Sequence, residues 1–125
     1  MTAANTFTGP MGLNGGTVQF AALNNLGAGS AINFNGGSLQ WLGTVDISTR
    51  LVTFSAGGAT LDTNGHDVTL ANAIGNSGPG GLTKAGNGNL FLNAVATYTG
   101  PTAVNAGTLD LGVANACLLY TSRCV

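Results

Sequence analysis

Charge is what this sequence has least of. Among 125 residues only three are Lys or Arg and four Asp or Glu, 6% in all, against roughly 25% in an ordinary globular protein. The acids are Asp46, Asp62, Asp67 and Asp110, and before the C-terminal tail the only cations are Arg50 and Lys84. That excludes a nucleic-acid partner, since binding phosphates requires a cluster of Lys and Arg to displace counterions. Cysteine is nearly as scarce. Cys117 and Cys124 both lie in the last nine residues, so residues 1–116 have neither a disulfide framework nor a thiolate metal site. No run approaches the ~18 consecutive apolar residues of a membrane helix. The start, Met1-Thr2-Ala3-Ala4-Asn5-Thr6, lacks the basic and apolar regions of an export signal. A chain of this kind is either cytosolic or an internal piece of a longer exported polypeptide, and its Gly-, Asn-, Thr- and Ser-rich polarity favours the second.

The segment Cys117-Leu118-Leu119-Tyr120-Thr121-Ser122-Arg123-Cys124-Val125 breaks the composition of everything before it. It resembles the translated junction of a sequencing-library adaptor, and residues 117–125 are set apart as foreign on that ground. The alternative is a true C-terminal strand closed by a Cys117–Cys124 disulfide.

What the chain does have is a period. Gly15-Gly16, Gly36-Gly37 and Gly57-Gly58 lie 21 residues apart, and Leu13-Asn14-Gly15-Gly16-Thr17-Val18-Gln19-Phe20 aligns with Phe34-Asn35-Gly36-Gly37-Ser38-Leu39-Gln40-Trp41. Short stretches of period-two alternation flank these turns, as strands require. Residues Ala21 to Gly29 read as a loop or corner. At the third pair the spacing to the next apolar residue, Leu61, lengthens by one, which points to a bulge. Lys84 to Gly88 reads as a turn before Asn89-Leu90-Phe91-Leu92. Ala96 to Leu111 then repeats Asn5 to Phe20 at a single offset of 91 residues.

Units of about 20 residues that are too small to bury their own apolar face must stack on their neighbours. The expected fold is all-β: a parallel β-helix, or β-solenoid, of five to six coils spanning residues 1–116 and rising ~4.8 Å per coil. Val18 and Leu39 are expected inside. Asn14 and Asn35 fall in one column at a turn, where amides can bond along the stack. Phe20 and Trp41 form a matched pair, facing either the core or the solvent. A solenoid ending in mid-stack is expected to self-associate through its open edges.

The segment Gly80-Gly81-Leu82-Thr83-Lys84-Ala85-Gly86-Asn87-Gly88-Asn89-Leu90-Phe91-Leu92, running on through Ala96-Thr97-Tyr98-Thr99-Gly100 to Val104-Asn105-Ala106-Gly107-Thr108-Leu109-Asp110-Leu111-Gly112, resembles the autotransporter-associated β-strand repeat. Phe91 and Ala96 depart from the pattern. The resemblance covers nearly all of residues 4 to 112. It implies the passenger region of a bacterial type V secretion protein, a β-helix at the cell surface or secreted, with an outer-membrane barrel in the full-length chain. The motif brings no catalytic residue.

The chemistry-bearing residues agree with that. His66-Asp67, with Asp62 nearby, is the one candidate acid/base or metal cluster, and a polar turn after Asn64-Gly65 accounts for it more simply. Polysaccharide-cleaving β-helices need clustered carboxylates beside a cation, whereas Asp46, Asp62, Asp67 and Asp110 are scattered. Calcium-binding nonapeptides, a flat Thr array from Thr6, Thr8, Thr97 and Thr99, and a phosphate cradle at Gly75 to Gly81 or Gly86 to Gly88 all lack the required repetition or partner residues. No catalytic, cofactor or metal site is expected. The leading function is a structural and adhesive surface scaffold that meets host-surface or extracellular glycans or proteins. The alternative is part of an enzymatic β-helix, a lyase or hydrolase, whose catalytic residues lie elsewhere.

Overall fold

In the computed structural model, residues 5, 8–29 and 31–111 are described. The tail 117–125 lies outside them. Among the described residues, alternating sequence becomes eleven short strands: β1 (Met11–Leu13), β2 (Thr17–Phe20), β3 (Ala31–Phe34), β4 (Ser38–Trp41), β5 (Leu51–Phe54), β6 (Ala59–Asp62), β7 (Val68–Leu70), β8 (Leu82–Ala85), β9 (Asn89–Leu92), β10 (Thr102–Val104) and β11 (Thr108–Leu111). Among the described residues one 3-10 turn, Leu23–Leu26, lies in the corner after β2. There Asn25 Oδ1 accepts from the backbone N–H groups of Ala21 and Ala22, both at 2.9 Å.

Every strand pair is parallel, and the strands stack into three sheets: sheet A is β1-β3-β5, sheet B is β2-β4-β6-β8-β10, and sheet C is β7-β9-β11. The chain therefore winds a parallel β-solenoid of five coils, each adding one strand to sheet B. The coil length varies. Thr17 pairs with Ser38 and Ser38 with Thr60, whereas Ala59 pairs with Leu82 and Leu82 with Thr102. The expected bulge at the third glycine pair is not there. Ser38, Leu39 and Gln40 pair without interruption with Thr60, Leu61 and Asp62. The extra length sits in the preceding corner, where Phe34 is level with Phe54 but Gly36 N donates to Gly58 O at 2.9 Å. A turn can absorb extra residues without flipping any side chain, whereas a slip inside a strand would turn Leu61 outward.

The glycine corner extends further than the even spacing indicates. Ala59 N donates to Gly81 O and Gly100 N to Gly80 O, so Gly80-Gly81 is the fourth member of the column. Close approach explains the residue type. A Cβ on Gly37 would lie 2.8 Å from the Leu13 carbonyl, and one on Gly80 would strike Ser55 O.

The 91-residue sequence twins do not share a face. From Thr17 the register runs through Ser38, Thr60 and Thr83 to Ala103, 86 residues on and five short of the twin position Thr108. Those five residues carry the chain from sheet B to sheet C. Thus β1 and β2 meet at the corner between sheets A and B, while their twins β10 and β11 meet at the corner between B and C. Coil three, holding β5, β6 and β7, has strands on all three faces and is where the phase changes. Below it, the 3-10 turn and residues 42–50 take the place of a sheet-C strand. Above it, residues 71–81 and 93–101 replace sheet A, with Gly75 bridging Thr53.

The core is a set of vertical apolar columns. Val18 and Leu39 do point inward, followed by Leu61. Phe20 and Trp41 are fully buried, with ring centroids 5.1 Å apart. Phe34 packs edge-on against Phe54 with centroids 5.7 Å apart, and Phe54 packs with a tilted ring against Tyr98 at 5.0 Å. Each such ring contributes about 2–3 kcal/mol by burial alone. Trp41 Nε1 donates to Val45 O at 2.8 Å, so its polar edge is satisfied.

Candidate functional site

Charged side chains are few, and most of those among the described residues hold one coil on the next. Asp46 Oδ1 accepts from Ser48 N and Ser48 Oγ, while Oδ2 accepts from Ala71 N at 3.1 Å, one coil away. The Arg50 guanidinium reaches down a coil, donating to Leu26 O, Leu23 O and Gly27 O at 3.0, 3.2 and 2.6 Å. It thereby satisfies carbonyls that the 3-10 turn leaves exposed. On the outer face of sheet B a ladder runs from Gln19 to Gln40 to Asp62: Gln19 Nε2 donates to Gln40 Oε1, and Gln40 Nε2 donates to Asp62 Oδ2 at 2.8 Å.

His66 and Asp67 lie at the corner between β6 and β7, where His66 closes a turn and Asp67 reaches the next coil. His66 is half-buried and its backbone N donates to Thr63 O; Asp67 is exposed, and its Oδ1 accepts from Asn89 N at 3.0 Å. Asp62 accepts from Asn64 N with its other oxygen. Asp110 is exposed on β11. Among the described residues no three His, Cys, Asp or Glu side chains converge to hold a metal. Asn35 Oδ1 accepts from Gly57 N at 2.8 Å. Asn35 thus ties side chain to backbone across coils, and the Asn14–Asn35 column is not an amide-to-amide ladder. Thr97 Oγ1 accepts from Ser77 N, and Thr99 Oγ1 donates to Gly78 O, so these hydroxyls also join coils.

Lys84 corrects the sequence reading. It lies inside β8, not in a turn, and is wholly buried. Its register partners are Leu61 and Val104, so its stem occupies the apolar column. Its Nζ donates to Ala85 O at 2.8 Å, Gly86 O at 2.7 Å and Ala106 O at 3.3 Å. Burial pulls the ammonium pKa below its ordinary 10.5, with Asp62 opposing that shift. The signal was in the sequence: Lys84 stands two residues after Leu82, on the same side of an alternating strand.

One concavity of about 280 Å³ opens beside the glycine column, lined by Ala56, Gly58, Gly81, Thr83, Pro101 and Ala103 among others. Of these residues only Thr83 bears a side-chain heteroatom, so the cleft offers no general acid, base or activated nucleophile.

Comparison with known proteins agrees with the coil architecture. Residues 1–20 and 82–111 match the passenger-associated-transport-repeat. These are the stretches that form β1–β2 and β8–β11. The chain is also similar to the adhesin BmaC autotransporter of Brucella suis biovar 1 (strain 1330), at 42% identity over 116 residues, which is 85% of this chain and 3% of that protein. No solved structure matches the chain. Two repeat segments wound into one solenoid, together with this similarity, identify the chain as a member of the passenger-associated-transport-repeat family of bacterial autotransporters.

Proposed function

We propose that the chain is a non-catalytic stretch of adhesive scaffold, displayed at a bacterial cell surface. The observation that supports this best is the use of its polar groups: Asp46, Arg50, Asp62, Asn35 and Lys84 all bridge or brace coils. The similarity to a protein named an adhesin points the same way. In this reading the stacked coils hold binding surfaces away from the cell, and the partners are host-surface or extracellular glycans or proteins. An outer-membrane barrel belongs to the full-length protein, and residues 1–116 form the solenoid, with 117–125 foreign to it. The isolated chain self-associates through its terminal strand edges.

The test is an in-frame deletion of the five coils from the full-length autotransporter, displayed on cells and scored three ways. A scaffold predicts that surface display persists, that adhesion to immobilised host matrix falls, and that release of reducing sugar from polysaccharides is unchanged. Loss of polysaccharide cleavage with adhesion intact would overturn the proposal and support an enzymatic solenoid.

A further inference from the structure

Four Asn-Gly dipeptides stand at the corners of the solenoid: Asn14-Gly15, Asn35-Gly36, Asn64-Gly65 and Asn87-Gly88. This pairing is open to intramolecular attack, because Gly has no Cβ to hinder its own nitrogen from approaching the preceding side chain. The deprotonated Gly nitrogen bonds to Asn Cγ, the Cγ–Nδ2 bond breaks and ammonia leaves. Water then opens the succinimide at either carbonyl, giving Asp or isoaspartate. Water is the only co-reactant.

All four Asn residues are exposed, so accessibility does not rank them. Hydrogen bonding does. Gly36 N donates to Gly58 O at 2.9 Å, and the Asn35 carboxamide is itself held by Gly57 N. Gly65 N donates to Asn87 O at 2.8 Å, and Asn64 Nδ2 donates to Trp41 O at 3.2 Å. In both pairs the attacking nitrogen and the attacked group are fixed to neighbouring coils. Among the described residues, neither Gly15 N nor Gly88 N donates a hydrogen bond, and the side chains of Asn14 and Asn87 form none.

We propose that Asn14 and Asn87 are sites of spontaneous succinimide-mediated modification, and that coil stacking protects Asn35 and Asn64. Each conversion adds a negative charge to a chain whose formal net charge is −1. Both sites are exposed turns, so the charge appears on the surface and leaves the core columns intact.

Peptide mapping by mass spectrometry that separates Asp from isoaspartate tests this. The 125-residue chain is aged at physiological temperature and mildly alkaline pH, once folded and once in urea. In urea the four sites react at comparable rates. In the folded chain Asn14 and Asn87 keep those rates, while Asn35 and Asn64 slow about tenfold because each must first break its hydrogen bonds. A Gly15→Ala variant slows Asn14 alone. Folded-state rates at Asn35 or Asn64 equal to those at Asn14 and Asn87, or uniform slowing of all four, would overturn the proposal.

Discussion

Leu61 and Lys84 are register partners on adjacent strands of sheet B, and both side chains are buried. A column that runs Val18, Leu39, Leu61 therefore receives an ammonium group in the fourth coil. The ammonium is tolerated because the carbonyl oxygens of Ala85 and Gly86 beside it and of Ala106 in the next coil accept from it. Burying a charge without such partners is prohibitive.

The first prediction separates the stem of Lys84 from its charge. Lys84→Ala removes both and leaves the carbonyls without their donor, at a cost of about 3 kcal/mol. Lys84→Met keeps the stem volume and loses only the ammonium, at a cost of about 1–2 kcal/mol. Urea titration followed by Trp41 fluorescence measures both, since the single Trp is fully buried in the folded state. A Lys84→Met chain as stable as the parent would show that the carbonyl contacts contribute nothing.

The second concerns the glycine column. Gly37→Ala places a Cβ 2.8 Å from the Leu13 backbone, and the coils must part by some tenths of an ångström, costing about 1–3 kcal/mol. At Gly15 a Cβ meets nothing within 4 Å and the φ is not in the left-handed region. Gly15→Ala is therefore neutral, or stabilising by about 0.5 kcal/mol through the unfolded chain. The same urea titration checks the contrast, and equal losses at the two positions would refute a packing role for the column.

Much of this was legible in the sequence, and the exceptions share a physical cause. The glycine pairs, the alternation and the 91-residue echo lead to a parallel solenoid, because each reports a local requirement: a tight corner, an inward face, a repeated unit. What they do not report is which face a unit occupies. The echo between Thr17 and Thr108 suggests one column, yet Thr17 stacks under Ala103, because corner lengths add up over four coils. The bulge expected before Leu61 was likewise a length change absorbed in a corner. Lys84 was misread because its charge outweighed its position in the alternation. The roles of Asp46 and Arg50 depend on residues 20 or more positions away, which spacing alone does not bring together.

The third prediction is a pH dependence. Burial holds the Tyr98 hydroxyl above its ordinary pKa of 10.0, with the bond to Thr102 Oγ1 opposing that shift. The folded chain thus keeps this proton at a pH where the unfolded chain has released it. The resulting stability is complete below pH 10 and declines as pH rises above it. Tyr98→Phe removes that decline, so the parent and variant stability curves, measured side by side, diverge with the parent falling faster only on the alkaline side. Parallel curves would mean that the hydroxyl is not held in an apolar setting.

The fourth tests whether a single carboxylate clamps two coils. Asp46 orders its own turn through Ser48 and reaches Ala71 N after β7, while Ser48 Oγ accepts from Asn72 N at 2.9 Å. Asp46→Asn keeps one carbonyl acceptor and loses the second, so it costs about 1 kcal/mol, whereas Asp46→Ala frees all three donors and costs about 2–3 kcal/mol. The location of the damage is more telling than its size. Hydrogen exchange should quicken at Ala71 and Asn72, one coil above the substitution, while the amides of sheet B strands stay protected. Quickening confined to residues 46–48 would reduce Asp46 to a local turn residue, and quickening throughout the chain would mean that the coils open as one unit.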